Sequence, residues 1–288
     1  SELENGDSCR TPFVFSEDGT RVAASAKNEN SIVVWDVDSG AEVSRYGDQN
    51  GPNLGDYALS PEGRRLAISG RGDPGEADFF IEFMDIDAEK PISSKEDASR
   101  ASWRLPLDSY PTAMAFGPDG RRLAVACIDG LVRLLDVDLI IESGKMDEQL
   151  IPVIALGDMG NARMLRFSGG GEILIAISRQ DHIRAWDLGT GKILNTFRGP
   201  GAGVRQIRIS PDSKHLAITD RENVIRVWKL SSFRGISEFI SDSDGVFKTI
   251  AISPDSSTLV SNSDLGQIEV RSLQSGELVA ALRNDMVD

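Results

Sequence analysis

The sequence predicts an all-β chain built from six similar units, each with four antiparallel strands. Two observations support this prediction. Apolar and polar residues alternate at period two on both sides of a short turn, as in a β-hairpin. The turn motif recurs at intervals of 42 to 57 residues, beginning at Ser16, Ser60, Gly117, Ser168, Ser210 and Ser253. No segment carries a sustained helical apolar period, so helices are not expected.

Each hairpin is followed by two further extended segments. The third strands are predicted in SIVVWDV, FIEFMDI, LVRLLDV, HIRAWDL, VIRVWKL and IEVRSL. The fourth, weaker strands are predicted in EVSRY, SWRLPL, LIPVIAL, ILNTFR, ISEFI and LVAALR. One position of the third strand holds a tryptophan in three repeats, and its six occupants are Trp35, Met84, Leu135, Trp186, Trp228 and Arg271.

Two of these repeats carry a specific resemblance. The segment HIRAWDLGTGKILNTF, with its Trp186–Asp187 pair and Gly191 turn, is similar to a repeat of the WD-repeat family, as is SPDSKHLAITDRENVIRVWKL. The resemblance extends from about residue 11 to residue 283 and implies a β-propeller of four-stranded blades around a channel. Burial of apolar surface also favours this arrangement, because one blade has two apolar faces that only neighbouring blades can bury.

The resemblance sets the expected domain organisation. We expect a single domain over residues 1–288, with seven blades rather than six if the chain is a fragment of a larger protein. The six blades are expected at approximately 11–50, 51–108, 109–157, 158–200, 201–243 and 244–284. Structural roles in packing and turns are expected for Trp35, Asp36, Trp186, Asp187 and Trp228. The histidine that helps hydrogen-bond the tryptophan in the family has no counterpart, so this network is predicted to be incomplete.

No catalytic, cofactor or metal site is predicted. His182 and His215 fall in different repeats, Cys9 and Cys127 lack metal-binding spacing, and no G-x-S-x-G or G-x-x-x-x-G-K-[ST] motif is present. The formal net charge of −14 disfavours nucleic acid. No stretch approaches the roughly 20 apolar residues of a membrane helix. The two cysteines are typical of a reducing compartment, so we expect a cytoplasmic protein.

The resemblance also implies where a partner binds. In the family, the loops that lead into the first strands and those that join the second and third strands form one face at the channel mouth. The residues expected to contact a partner there are Tyr57, Arg71, Asp73, Tyr110, Arg163, Arg179, Arg205, Arg221 and Phe247. Arginine and aromatic residues are enriched in interfaces. Insertions at residues 71–78, 87–100 and 138–149 are further candidates, because unusual loops on a rigid scaffold often bind ligands.

We therefore expect a non-catalytic scaffold for protein–protein interaction, monomeric on its own, that docks a partner protein or a neighbouring domain. One alternative is a regulatory subunit, an inhibitor or a protease substrate in a multi-protein system. The other is a propeller enzyme, of the hydrolase or lactonase type, with a metal in the channel. That enzyme needs several carboxylates, amides or histidines converging from different blades, whereas the first strands carry mostly small and apolar residues.

Overall fold

The computed structural model describes most of the chain. The described residues are 13–26, 30–47, 53–72, 79–86, 102–143, 153–155, 162–199, 203–230, 234–240, 247–263 and 266–283. Within these ranges the chain forms 24 β-strands and one α-helix. The strands pair into six four-stranded sheets, each in chain order. The predicted all-β class is confirmed, and the six four-stranded antiparallel sheets are consistent with the blades of a propeller.

The first three sheets occupy the N-terminal half of the chain. The first sheet contains β1 Val14–Phe15, β2 Arg21–Ala26, β3 Ser31–Asp36 and β4 Glu42–Tyr46. The second contains β5 Asn53–Leu59, β6 Arg65–Arg71, β7 Phe79–Asp85 and β8 Ser102–Leu107. The third contains β9 Pro111–Phe116, β10 Arg122–Cys127, β11 Leu131–Asp136 and β12 Val153–Ala155.

The other three sheets follow the same plan. The fourth contains β13 Ala162–Phe167, β14 Ile173–Ser178, β15 His182–Asp187 and β16 Lys192–Arg198. The fifth contains β17 Val204–Ile209, β18 His215–Asp220, β19 Val224–Lys229 and β20 Arg234–Ile240. The sixth contains β21 Phe247–Ile252, β22 Thr258–Ser263, β23 Gln267–Ser272 and β24 Leu278–Arg283.

One helix departs from the expectation of strands alone. Helix α1 spans Val137–Ser143, at the start of the insertion at residues 138–149. The Asp136 carboxylate accepts a hydrogen bond from the backbone N–H of Leu139 at 3.1 Å, which caps the helix N-terminus. Seven residues make only two turns, so the sequence carries no sustained helical period there. The remainder of this insertion and residues 87–100 lie outside the described residues.

The chain divides into two compact units. The first unit comprises Ser1–Leu165 and Ala176–Arg179, and it contains the first three sheets. The second unit comprises Arg166–Ile175 and Gln180–Asp288, and it contains the fifth and sixth sheets. The strands of the fourth sheet contribute to both units.

Within each unit, the apolar faces of successive sheets pack on each other. We call the face that meets the preceding sheet the rear face and the other the forward face. In the first unit, the rear face of the second sheet comprises Tyr57, Leu59, Leu66, Ile68, Met84 and Ile86, packed on Ala23, Ile32, Val34 and Tyr46 of the first sheet. The rear face of the third sheet packs in the same way on the second. In the second unit, the sixth sheet packs on Ala217, Ile225 and Val227 of the fifth.

The recurrent turn motif is held by its own side chains. The Ser210 hydroxyl donates to the Asp212 carboxylate at 2.6 Å and accepts from the backbone N–H of His215 at 2.9 Å. Ser253 makes the same pair of bonds with Asp255 and Thr258. These hydrogen bonds satisfy polar groups in the turn that connects the first two strands of the sheet. They explain the serine and aspartate at these turn positions.

A polar contact ties the first two sheets together. The Tyr46 hydroxyl donates to the buried Glu82 carboxylate, which also accepts from the Arg104 guanidinium at 2.9 Å. The same guanidinium lies 4.0 Å from the centroid of the Phe80 ring. Burial, followed by the nearby Glu82 charge, raises the pKa of Tyr46 well above its usual value near 10. The phenol is therefore bound in its neutral form.

This raised pKa predicts an alkaline loss of stability. In the unfolded chain the Tyr46 phenol ionises near pH 10, whereas in the folded chain it does not, so its stabilisation is complete below pH 10 and falls above it. Tyr46→Phe removes this ionisation. The stability advantage of the wild type over Tyr46→Phe should shrink by about 1 kcal/mol between pH 10 and pH 11. Urea denaturation at both pH values measures it, and a constant difference contradicts the assignment.

Candidate functional site

An exposed cluster lies where β6 ends and where β7 and β9 begin. The Tyr110 and Phe79 rings meet edge to face, with centroids 5.5 Å apart. The exposed Arg71 guanidinium lies 6.0 Å from the Phe79 centroid. Ile128, whose backbone N–H donates to the Tyr110 carbonyl at 2.9 Å, is 56% exposed. We call Arg71, Phe79, Tyr110 and Ile128 the aromatic–arginine cluster; all four belong to the first unit.

Gly55 lies beside this cluster and leaves space for the Ser69 side chain. A Cβ at this position would lie 2.6 Å from the Ser69 hydroxyl oxygen and 3.4 Å from the Tyr110 hydroxyl oxygen. Tyr110 itself is 36% exposed, so one side of its ring is supported and the other faces solvent. An aromatic ring held in this way loses little conformational entropy when a partner covers it.

The structure contradicts the prediction that Tyr57 contacts a partner. Its side chain is 2% exposed and belongs to the rear face of the second sheet. The sequence reasoning placed Tyr57 in the loop before the first strand, whereas β5 begins four residues earlier, at Asn53. Alternation along the strand then directs Tyr57 into the packing with the first sheet, where no partner can reach it.

The other predicted contacts of the first unit differ in accessibility. Arg179 is exposed immediately after β14. Arg163 is half-buried, and its Nε donates to the Ser178 carbonyl at 3.4 Å. Asp73 lies outside the described residues.

In the second unit, Arg205 and Arg221 are both exposed. Arg205 is in β17, and Arg221 follows β18 with its backbone N–H bonded to the Gly203 carbonyl at 3.1 Å. The side chain of Phe247, the first residue of β21, lies outside the described side chains. Residues 162–229 hold twelve Arg and Lys against six Asp and Glu, although the whole chain is acidic.

The predicted structural residues cap turns or fill the packing. Asp36 accepts from the Ser39 backbone N–H at 2.9 Å, and Asp187 accepts from that of Thr190 at 2.7 Å. These backbone hydrogen bonds are the first cause of the lowered pKa of each carboxylate. Trp35 is half-buried.

Trp186 is fully buried, and its indole nitrogen has no hydrogen-bond partner in the described part of the chain. Trp228 is half-buried, with its ring 5.6 Å from that of Phe197. Both tryptophans therefore act as packing side chains.

A polar cleft near the hairpin turn of the second sheet is a weaker candidate. It is lined by Arg21, Glu62, Gly63, Arg64, Arg65, Asp85 and Ile86. Arg21 forms an ion pair with Asp36, and Arg65 forms ion pairs with Asp85 and Asp138. Two of its three guanidinium groups are therefore already neutralised, so the cleft offers little net charge to a ligand.

Two members of the aromatic–arginine cluster were not found from the sequence. Phe79 and Ile128 were not among the residues predicted to contact a partner. A usable signal was present, because Ile128 occupies the turn position that holds Arg179 and Arg221 in two other repeats. An exposed apolar residue at a position that is charged in other repeats indicates an interaction surface.

Comparison with known proteins finds repeats of one family in two parts of the chain. The model of the family described as "WD domain, G-beta repeat" matches residues 107–136 and 191–229. These matches are consistent with a WD-repeat protein. The first match begins at Leu107 and includes Tyr110 and Ile128, and the second includes Arg205 and Arg221. No curated protein matches the chain.

WD repeats generally mediate protein–protein interactions. Among the described residues of this chain, no group of three or more His, Cys, Asp or Glu side chains could hold a metal ion. No helix within the described ranges is long and apolar enough to cross a membrane.

Proposed function

We propose that this chain is a WD-repeat protein that acts as a non-catalytic scaffold and docks a partner protein on the aromatic–arginine cluster. The observation that supports the proposal is the exposure of Tyr110 and Ile128 beside Arg71. Interface hot spots are enriched in tyrosine, tryptophan and arginine, and they sit on a supported, well-packed base. Phe79 supplies that base, because its ring packs edge to face against Tyr110.

The exposed Arg205 and Arg221 of the second unit form a further proposed contact, one that favours an acidic partner surface. The six blade segments, their union in one domain and a cytoplasmic setting stand as parts of this proposal. A nucleic-acid partner is disfavoured by the net charge of −14.

The alternatives use different features of the molecule. A regulatory subunit, an inhibitor or a protease substrate would dock through the same cluster, and no observation separates these roles from a scaffold. A hydrolase or lactonase with a channel-bound metal would instead depend on polar groups converging from several inner strands. By contrast, an exposed cluster of aromatic and aliphatic side chains suits a protein partner.

The test compares partner capture by matched variants. Tagged wild type and a Tyr110→Ala, Ile128→Ser double variant are used to purify partners from extracts of the source organism, followed by mass spectrometry. Losing two hot-spot side chains should reduce capture of the specific partner at least tenfold.

The matched control is Ile193→Ser with Leu194→Ser, in the outer strand β16, where both side chains are exposed. The control should capture the partner as the wild type does. Equal capture by the wild type and the folded Tyr110→Ala, Ile128→Ser variant contradicts the proposed site.

A further inference from the structure

Arg208 is a half-buried cation in β17, the first strand of the fifth sheet. Its guanidinium donates to the carbonyl of the preceding residue, Ile207, at 2.9 Å. Burial alone lowers the pKa of Arg208, because no carboxylate in the described part of the chain offsets the loss of hydration. A cation in this position costs free energy unless an anion pairs with it.

Other arginines with buried or half-buried side chains are compensated by carboxylates. In the same sheet, Arg226 is half-buried and forms an ion pair with the buried Asp220. The remaining pairs of this kind are Arg21 with Asp36, Arg65 with Asp85 and Asp138, Arg122 with Asp119, Arg133 with Asp129 and Arg271 with Glu269. Arg208 is covered without such a partner, so its burial is not explained by the fold alone.

The position of Arg208 holds a small residue in the second sheet. Arg208 pairs with Ala217, on the face of the fifth sheet that packs on the sixth. Ala58 pairs in the same way with Ala67, on the face that packs on the third sheet, and Ala58 is 5% exposed. Arginine is much longer than alanine, and β17 is the end strand of its sheet. The stem of Arg208 is therefore covered, and its guanidinium reaches the open edge of β17.

A second guanidinium belongs to the equivalent position of the fourth sheet. Arg166 lies two residues before the turn of that sheet, as Arg208 lies two residues before the turn of the fifth. Arg166 is exposed, and it belongs with Arg208 to the second unit. The two turns are in contact there, because a Cβ at Gly169 would lie 2.8 Å from the Pro211 carbonyl oxygen. Neighbouring first strands therefore each present an arginine at the same position.

We infer that Arg166 and Arg208 bind a small phosphate-bearing molecule at the open edges of β13 and β17. Guanidinium groups form paired hydrogen bonds with phosphate oxygens. A phosphate group has three free oxygens and up to two negative charges, so it can accept from both guanidinium groups at once. The ligand supplies the anion that Arg208 lacks.

This site is independent of the proposed scaffold function. Arg205 and Arg221, which are proposed to contact the partner, lie at the other end of the β17–β18 hairpin, away from its turn. The aromatic–arginine cluster belongs to the first unit, whereas Arg166 and Arg208 belong to the second. Loss of phosphate binding would therefore leave the proposed docking surface intact.

Thermal denaturation without phosphate tests whether Arg208 is needed by the fold. Arg208→Met keeps a covered stem and removes the uncompensated charge, so the Tm should be unchanged or raised. Arg226→Met is the matched comparison, because it leaves the buried Asp220 carboxylate without its cation. That variant should lower the Tm by about 5 °C or more. If Arg208→Met lowers the Tm as much as Arg226→Met, Arg208 is a structural residue and the inference is wrong.

Added inorganic phosphate tests binding directly. Against sodium chloride of equal ionic strength, about 10 mM phosphate should raise the Tm of the wild type by about 2 to 4 °C. Arg208→Met should lose this rise. Arg166→Met, at an exposed position that leaves the packing intact, should lose most of it. Arg64→Met removes one exposed arginine elsewhere and should respond as the wild type does.

Isothermal titration calorimetry with inorganic phosphate gives the affinities. The wild type and Arg64→Met should agree, and Arg166→Met should bind about tenfold more weakly. Acetate, which has two oxygens and one charge, should give no comparable rise in Tm. Equal rises in phosphate for all four proteins would reveal a general salt effect and overturn the inference, as would equal rises of the wild type in acetate and phosphate.

Discussion

Trp186→Ala is expected to lower the free energy of unfolding by about 3 to 5 kcal/mol, as replacement of a fully buried large aromatic by alanine does. Trp186 lies in β15 and is fully buried. Its indole N–H has no hydrogen-bond partner in the described part of the chain. The loss therefore comes from packing, and Trp186→Phe, which keeps most of the ring, should cost about 1 to 2 kcal/mol.

Trp228 provides the matched comparison. It occupies the same position in the fifth repeat, but it is half-buried and packs on Phe197 at the surface. Trp228→Ala should therefore cost clearly less than Trp186→Ala. Guanidinium denaturation followed by circular dichroism gives all three values. Equal losses in the free energy of unfolding at Trp186 and Trp228 would contradict the larger packing contribution assigned to Trp186.

Asp220→Ala is expected to cost about 3 to 5 kcal/mol, because it removes one partner of a buried ion pair. The Asp220 carboxylate is fully buried and forms an ion pair with Arg226. It also accepts from the backbone N–H groups of Glu222 at 2.9 Å and Val224 at 3.0 Å. Alanine leaves both N–H groups and the guanidinium without this acceptor.

Asp220→Asn separates the contribution of the ion pair from that of the two backbone hydrogen bonds. The asparagine side chain keeps one oxygen for the backbone N–H groups and loses the charge that Arg226 faces, so it should cost less than alanine. Asp187→Ala, at an exposed turn, should change stability much less than either. Denaturation midpoints measured at one pH provide the comparison. An alanine variant as stable as the wild type would contradict the described role of Asp220.

The sequence predicted the sheets because their signals are local. In the turns at Ser16, Ser210 and Ser253 the serine hydroxyl donates to the aspartate two residues later, so these turns are specified by adjacent residues. Period-two alternation then places the strands on either side. Helix α1 has no such signal, because seven residues carry too few turns for a helical period, and Asp36 and Asp187 make the same bond as Asp136 without a helix after them.

The candidate site was harder to predict, because the exposure of each side chain depends on how neighbouring sheets pack against each other. Tyr57 and Tyr110 both precede a predicted first strand, yet Tyr57 is buried by the neighbouring sheet and Tyr110 faces solvent beside Phe79. Phe79 and Tyr110 belong to different repeats, and only the packing of the second and third sheets brings their rings together.

The central claim is that the aromatic–arginine cluster is the partner-binding surface. The most direct measurement is the dissociation constant of the captured partner for the wild type, for the Tyr110→Ala, Ile128→Ser variant and for the Ile193→Ser, Leu194→Ser control, by isothermal titration calorimetry. We expect the cluster variant to bind at least tenfold more weakly and the control to match the wild type. Equal dissociation constants for all three folded proteins would contradict the account.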